Sequence, residues 1–299
     1  MPELPEVESI RKQLEKYLVG HKVEQVQINY AKCFQGNSRN LVGGKVKKIR
    51  RFGKVLSIDL SNDYSVVIHI KLTGQLIYRG PNLSAKGRSA SGRKSPPLSP
   101  KVTGGLGGKH THVIFHLDRK GVLYYNDVRK FGWIKILKTN EVENIDFIKK
   151  LGPEPLVVSS SGQATLTLEK FKEILGKTSR AIKTLLMDQG KIGGVGNIYA
   201  NDALWLAMVH PTKESKKLGN EEIKRLYKAI EEVLKKGLKH GGASELAFVT
   251  PDGREGSYQD VSLVYGRKGQ LCKRHKNTKI RKIVVGGRGT YFCPTCQKI

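Results

Sequence analysis

The sequence predicts an α+β fold: an N-terminal β-sandwich with a leading helix, then a helical helix–two-turns–helix segment that ends in a zinc-finger β-hairpin. Three observations predict it. Val7, Ile10, Leu14, Tyr17 and Leu18 recur at helical spacing, and short strand-like runs bounded by turn residues follow as far as Leu137. From about residue 150 the periodicity becomes helical. Three of the four cysteines then fall within the last 28 residues. The expected parts are 1–150, 151–265 and 266–299, and a chain of 299 residues suits two domains of about 150.

Each element has its own warrant. Residues 4–18 form the leading amphipathic helix, which Gly20 ends. Strands are expected over 22–28, 45–49, 55–60, 64–70, 112–117, 122–125 and 133–137, as a sandwich or flattened barrel. Residues 79–109 hold seven basic side chains and no acid among Gly, Ser and Pro, so they are expected to form a disordered, solvated insertion. Short helices are expected over 168–175 and 179–188, then a glycine-rich turn over 190–197, and a further helix from Ile198 to Met208. Asn220 is placed to cap a strong helix with Glu221 and Glu222 in its first turn, stopped by Gly241-Gly242.

Lys and Arg outnumber Asp and Glu by 54 to 26, a net charge of +28. Such a field selects polyanions, nucleic acid before an anionic membrane. There is no run of 18 apolar residues and no apolar signal core at the start, so a cytoplasmic protein is expected.

Four stretches carry chemistry. With Met1 removed, Pro2 would present a secondary amine, of which roughly a tenth is unprotonated and nucleophilic at pH 7. Glu3 stands beside it as a proton donor. Pro and Glu in a first turn also suit a helix N-terminus, so these residues alone leave both readings open. Cys272 and His275, then 17 residues, then Cys293 and Cys296, supply four N/S ligands at the spacing of a tetrahedral zinc site, with a disulfide as the alternative. Between the pairs, a Gly-rich turn presents Arg288 as a phosphate clamp or an ordinary turn residue. The turn Gly193 to Asn197 lies beside a basic helix carrying Arg180 and Lys183. It reads as a DNA anchor, with Asn197 capping the following helix and donating to an anion. In the β-rich half, Lys54 starts a strand after a turn. Arg129 and Phe131 share a loop, the equipment for filling a gap in stacked bases, although a surface Arg beside a core Phe reads equally.

The ordered set MPELPEVE, RRFGK, LTG, KHTHV, YNDVRKFGW, LGPEPL, MDQGKIGGVGNIYANDALW, VYGRKG and VVGGRGTYFCPTCQ resembles the formamidopyrimidine-DNA glycosylases over essentially the whole chain apart from 79–109. The resemblance implies excision of oxidised purines such as 8-oxoguanine from double-stranded DNA held in a cleft between two domains, together with cleavage at abasic sites. It implies one structural zinc ion, a monomer, and a nucleoid-associated location in the cytoplasm. Pro2 matches the nucleophile that forms an imine at C1′, Glu3 its acid/base, and Lys54 an assisting lysine. Arg288 matches the finger arginine linked to phosphate binding and δ-elimination. Leu72, Arg129 and Phe131 match a wedge that fills the void left by an extruded base. His110, Arg129 and Thr178 fall at DNA contacts, and Lys183 and Asn197 at phosphate contacts. The chain departs from the pattern at Leu72 (usually Met), Thr178 (a basic residue expected), Asp202 (usually Glu) and His275 (usually Cys). An endonuclease VIII-like enzyme for oxidised pyrimidines shares the Pro-Glu start, but Leu4 and Val7 favour the purine enzyme. A catalytically inactive DNA-binding protein would keep the turn and finger without needing Pro2, Glu3 or Lys54.

Overall fold

The computed structural model describes residues 2–81, 83, 97–156, 164–245 and 247–299. They fall into two compact units, 1–149 with 241–257, and 150–240 with 258–299.

In the first unit, helix α1 (Leu4–Leu18) begins where the periodicity places it, with Pro5 in its first turn and Glu3 as its N-cap. The Glu6 carboxylate accepts the Glu3 N–H at 2.7 Å, which satisfies one of the donors a helix start leaves open. Strands β1 (Val23–Ile28), β2 (Phe34–Gln35), β3 (Val46–Phe52), β4 (Val55–Leu60), β5 (Tyr64–His69), β6 (Gly74–Arg79), β7 (Thr111–Leu117), β8 (Gly121–Asp127) and β9 (Trp133–Lys138) follow. They make a four-stranded sheet in the order β1-β7-β8-β6 and a five-stranded sheet in the order β2-β9-β5-β4-β3. All pairs are antiparallel except β2 with β9. The apolar stripe of α1 joins residues from both sheets in one core, including Ile49, Leu56, Ile68, Leu76, Phe115 and Tyr125. Burying each such side chain contributes about 1.5–3 kcal/mol.

Strand β6 is absent from the sequence reading. Both of its faces are covered, so it shows no alternation of apolar and polar residues, and it opens on Gly74, where a Cβ would lie 2.4 Å from the Ile70 carbonyl oxygen. The expected solvated insertion is corrected in part. Arg79 ends β6, Leu83 is buried, and Val102 packs with Ile77 and Val249. Residues 82 and 84–96 of that insertion lie outside the described residues.

The second unit holds most of the helices. After α2 (Asp146–Lys149) closes the first unit's opening run, α3 (Leu168–Gly176), α4 (Ile182–Leu186), α5 (Asn197–Leu206), α6 (Asn220–Lys239) and α7 (Tyr258–Val261) are followed by the hairpin β10 (Arg281–Val285) and β11 (Arg288–Phe292). Gly219, rather than Asn220, is the N-cap of α6, and the Glu222 carboxylate accepts its N–H at 2.9 Å. Gly237 lets α6 approach α5, since a Cβ there would sit 2.5 Å from the Tyr199 ring. The finger, expected as a separate piece from 266, packs on this unit: Trp205 shares a small core with Val264, Cys272, Ile280, Cys293 and Cys296.

Residues 241–257, expected among the helices, return to the first unit. Tyr78 N–H donates to the Pro251 carbonyl at 2.8 Å, and Ala243 N–H donates to the Glu6 carboxylate at 2.7 Å. Among the described residues no helix is long and apolar enough to cross a membrane.

Candidate functional site

Pro2, Glu3 and Lys54 are all buried in the first unit. Lys54 occupies the two-residue turn that joins β3 to β4, with Gly53 at φ +56 supplying the left-handed conformation. A charged pair ties this turn to the helix that carries Glu3. The two Glu8 oxygens accept from Arg11 Nε and Arg51 Nε, each at 2.9 Å, and Arg51 Nη1 donates to the Gly53 carbonyl at 2.9 Å. Glu8 and Arg51 have fully buried side chains. Buried ion pairs are costly to form, and breaking one strands the surviving charge. Arg51→Met is therefore expected to cost about 3–5 kcal/mol of stability, read from urea unfolding. Adding Glu8→Gln should recover part of that loss, and strictly additive losses would show that the pair does not act as a unit.

His69, which the sequence reading passed over, ends β5 close to Lys54. Burial pushes its pKa down to about 3, with the charges of Lys71 and Lys54 adding to the effect. Its Nδ1 accepts the Lys71 N–H at 3.0 Å. The imidazole thus stays neutral near neutral pH.

The loops carrying Leu72, Arg129 and Phe131 meet at one buried carboxylate. Asp127 Oδ1 accepts from Thr73 Oγ1 at 2.5 Å and from Arg129 N at 3.2 Å, while Oδ2 accepts from Gly132 N at 2.8 Å. Thr73 Oγ1 in turn accepts Arg129 N at 3.1 Å. Asp127 thereby joins the β5–β6 turn, with half-buried Leu72, to the β8–β9 loop. At the tip of that loop the Arg129 guanidinium lies 4.7 Å over the Phe131 ring, and the ring is 59% exposed. Phe131 is therefore not a core residue, and the cation keeps a large apolar ring presented to solvent. His110 is half-buried; its carbonyl accepts Asp127 N–H at 2.9 Å, and Gly104 packs on its ring.

In the second unit Arg288 is exposed where β11 begins, paired with Val285 across a Gly286-Gly287 turn with φ of +57 and +70. This is the two-residue hairpin geometry that only such glycines enter without strain. Lys183 is not at the surface. It is wholly buried, and its ammonium donates to Gly289 O at 3.0 Å and Thr290 Oγ1 at 2.6 Å, tying α4 to the strand that carries Arg288. The turn before α5 also differs from expectation. Gly196 is the N-cap and Asn197 is the first helical residue. The N–H groups of Gly193 and Gly194 bond internally, to Pro153 O and Gln189 Oε1, both at 3.0 Å. Gln189 also donates to Val195 O at 2.7 Å and so staples the turn. Thr178 lines a 260 Å³ groove with Lys170, Lys177, Arg180 and Lys191. Lys177 and Arg180 flank Thr178 but are paired with Glu173 at 2.5 Å and Asp188 at 2.7 Å.

Cys272, His275, Cys293 and Cys296 converge, with their ligand atoms all within 4.8 Å of one another. The cysteines are free, which removes the disulfide reading. A tetrahedron of bonds near 2.3 Å has edges of roughly 3.8 Å, so three thiolates and one imidazole fit one zinc ion. Cys272 Sγ lies 3.6 Å from Cys296 Sγ, and His275 Nδ1 lies 2.8 Å from the latter. Burial and the neighbouring sulfurs push the Cys296 thiol up to about 12. Burial opposes ionisation of Cys272 as well, but N–H groups of His275, Arg274 and the Trp205 indole draw it down to about 7. A divalent cation is what lets all three sulfurs ionise together. Asp202 supports the same region: its carboxylate accepts Tyr258 Oη and Leu263 N at 2.9 Å and Val264 N at 2.9 Å, fixing the segment that leads into the finger.

Comparison with known proteins places these pieces. Family models for the formamidopyrimidine-DNA glycosylase N-terminal domain and for its H2TH domain match residues 1–134 and 151–248, and one for the zinc finger found in FPG and IleRS matches 278–299. The formamidopyrimidine-DNA glycosylase of Desulforamulus reducens is 38% identical over 304 residues, spanning 100% of this chain and 99% of its own. The crystal structure of MutM (Fpg) from Thermus thermophilus is similar at a TM-score of 0.81 and 32% identity, covering 99% of this chain and 98% of that one. Wild-type Lactococcus lactis Fpg in complex with DNA containing N7-benzyl-Fapy-dG matches at 0.81 and 33%, with full coverage of both chains. With relatives this similar along its whole length, the chain belongs to the formamidopyrimidine-DNA glycosylase family.

Proposed function

We propose that this protein excises oxidised purines from double-stranded DNA in base excision repair and nicks the strand at the resulting abasic site. The observation that carries the reading is the burial, within one unit, of Pro2, of Glu3 at the cap of α1, and of Lys54 on a turn bonded to the same helix through Arg51 and Glu8.

With Met1 removed, the Pro2 amine attacks C1′ of the damaged nucleotide, the C1′–N bond to the base breaks, and the base leaves with a proton from the Glu3 carboxyl. The amine proton is then lost, the C1′–O4′ bond opens with a proton delivered to O4′, and the resulting iminium acidifies C2′. Loss of that proton expels the 3′-phosphate, and a second elimination expels the 5′-phosphate. Lys54 acts through DNA and proton contacts, and Arg288 at the phosphate of the second elimination. The base must leave the stack before an amine can reach C1′. Leu72, Arg129 and Phe131, brought together by Asp127, fill the void. His110, Thr178 with its flanking cations, and Asn197 contact the backbone of the DNA, while Lys183 serves it indirectly by holding the Arg288 hairpin. One zinc ion on Cys272, His275, Cys293 and Cys296 supplies the rigidity of that hairpin. A monomer working at the nucleoid in the cytoplasm fits this activity.

Two duplexes test the reading, one carrying 8-oxoguanine opposite C and the other an oxidised pyrimidine. The first should be cleaved at least about tenfold faster, a ratio within the reach of a site that hydrogen-bonds its substrate. Faster cleavage of the second would mark an endonuclease VIII-like enzyme, and cleavage of neither a DNA-binding protein without activity.

A further inference from the structure

The arm 97–103, the described end of the insertion, is built into the first unit against residues 243–256. Ser99 N–H donates to Gly253 O at 2.8 Å, and Ser99 Oγ donates to Glu255 at 2.6 Å. Leu98 lies on Gly253, where a Cβ would meet its side chain at 2.4 Å. Gln75, from β6, is buried between the two segments. Its amide nitrogen donates to Lys101 O at 2.7 Å and Ala247 O at 2.5 Å, and its oxygen accepts from Thr103 N and Oγ1 at 3.2 Å. The Lys101 ammonium donates to the Ser244 carbonyl and bridges to Glu255 at 2.7 Å.

Ser244 is fixed on its other side as well. Its hydroxyl donates to Phe248 O and accepts from Gly256 N, both at 2.8 Å. One residue earlier, Ala243 N–H donates to the same Glu6 carboxylate whose other oxygen accepts the Glu3 N–H, each at 2.7 Å. A continuous set of buried or half-buried bonds thus runs from Lys101 through Ser244, Ala243 and Glu6 to the backbone of Glu3.

We propose that the 97–103 arm clamps the 243–256 segment and that Lys101 is a positioning residue for Glu3, acting through Ser244, Ala243 and Glu6. The proposal rests on the reading that Pro2 and Glu3 carry the chemistry. Arg51 holds the Lys54 turn to α1 from one side, and the clamp holds the cap of α1 from the other. Releasing Lys101 leaves the Ser244 carbonyl without that donor and frees the segment to shift, which changes the placement of Glu3 and not the DNA-binding surfaces of the second unit. The exposed half of the contact, Lys101 with Glu255, contributes little by itself.

The test compares wild type, Lys101→Met, Lys101→Arg and Glu255→Gln by two readouts: hydrogen exchange of the 243–256 amides without DNA, and single-turnover borohydride trapping on an abasic-site duplex with its dissociation constant. Lys101→Met should exchange faster over 243–256 and trap about tenfold more slowly, since small misplacements of reacting groups cost that much, with DNA affinity within about twofold. Lys101→Arg should restore most of the rate, and Glu255→Gln, which spares the Ser244 bond, should stay within about threefold of wild type. Unchanged trapping in Lys101→Met, or a loss of rate matched by an equal loss of DNA affinity, overturns the proposal. Wild-type protein that fails to trap at all would overturn the functional reading instead, and the exchange data would still decide whether the clamp exists.

Discussion

Covalent trapping should disappear when the chain is extended by a single residue ahead of Pro2. An amide nitrogen at Pro2 has no available lone pair, so no imine forms at C1′ and borohydride finds nothing to reduce. The loss should reach at least about a thousandfold, the scale on which removal of a nucleophile is felt. Wild-type protein with Met1 removed should leave DNA attached to the peptide that begins at Pro2. Attachment at Lys54 would move the nucleophile to the β3–β4 turn and reassign Glu3. The extension itself should leave DNA affinity in place, because the exposed cations of the finger and of the α3–α4 groove lie in the other unit. A parallel loss of affinity would mean that the added residue disturbs more than the amine.

Replacing His275 by Ala should have the second largest effect. In the proposed site three thiolates and an imidazole hold one zinc per chain, and binding free energies of structural zinc sites are on the order of 10 kcal/mol. With one ligand gone, most of the metal should be lost after a chelator wash, measured by elemental analysis. His275→Cys should keep it, since thiolate is at least as good a ligand. The consequences should spread further than the finger. Cys272 accepts from the Trp205 indole at 3.4 Å, Arg274 lies 4.3 Å over the Trp205 ring, and Gln297 donates to Val209 O at 2.9 Å. Metal loss therefore loosens the end of α5 as well as the Arg288 tip, and both strand cleavage and thermal stability should fall. Full zinc content in His275→Ala would show that three cysteines suffice.

Much of this was legible in the chain because it depends on local rules. The period of 3.6 over residues 4–18, a Gly-Gly hairpin before Arg288 and two Cys/His pairs across a hairpin-length spacer each state their geometry within a few residues. The glycine turn before α5 is a partial case. Its place was readable, but Gly193 and Gly194 direct their N–H groups to Pro153 and Gln189, and Pro153 lies 40 residues earlier.

What the sequence determined by itself was the order of most elements, the family pattern and the candidate reactive side chains, since each is a property of residue type and spacing. Only the tertiary structure decided which of those side chains meet. Strand β6 went unread because both its faces are covered and periodicity vanishes with full burial. Asp127 ends β8, and it is the carboxylate on which two loops converge. Lys183 looked like a surface cation, and its ammonium lies in the interior against Thr290. The return of residues 241–257 to the first unit, and the seating of 97–103 upon them, rest on hydrogen bonds between positions up to 239 apart in the chain, such as Asp252 N–H to Gln13. No local pattern encodes a partner at that distance; it is chosen by which buried donors and acceptors the folded chain must satisfy.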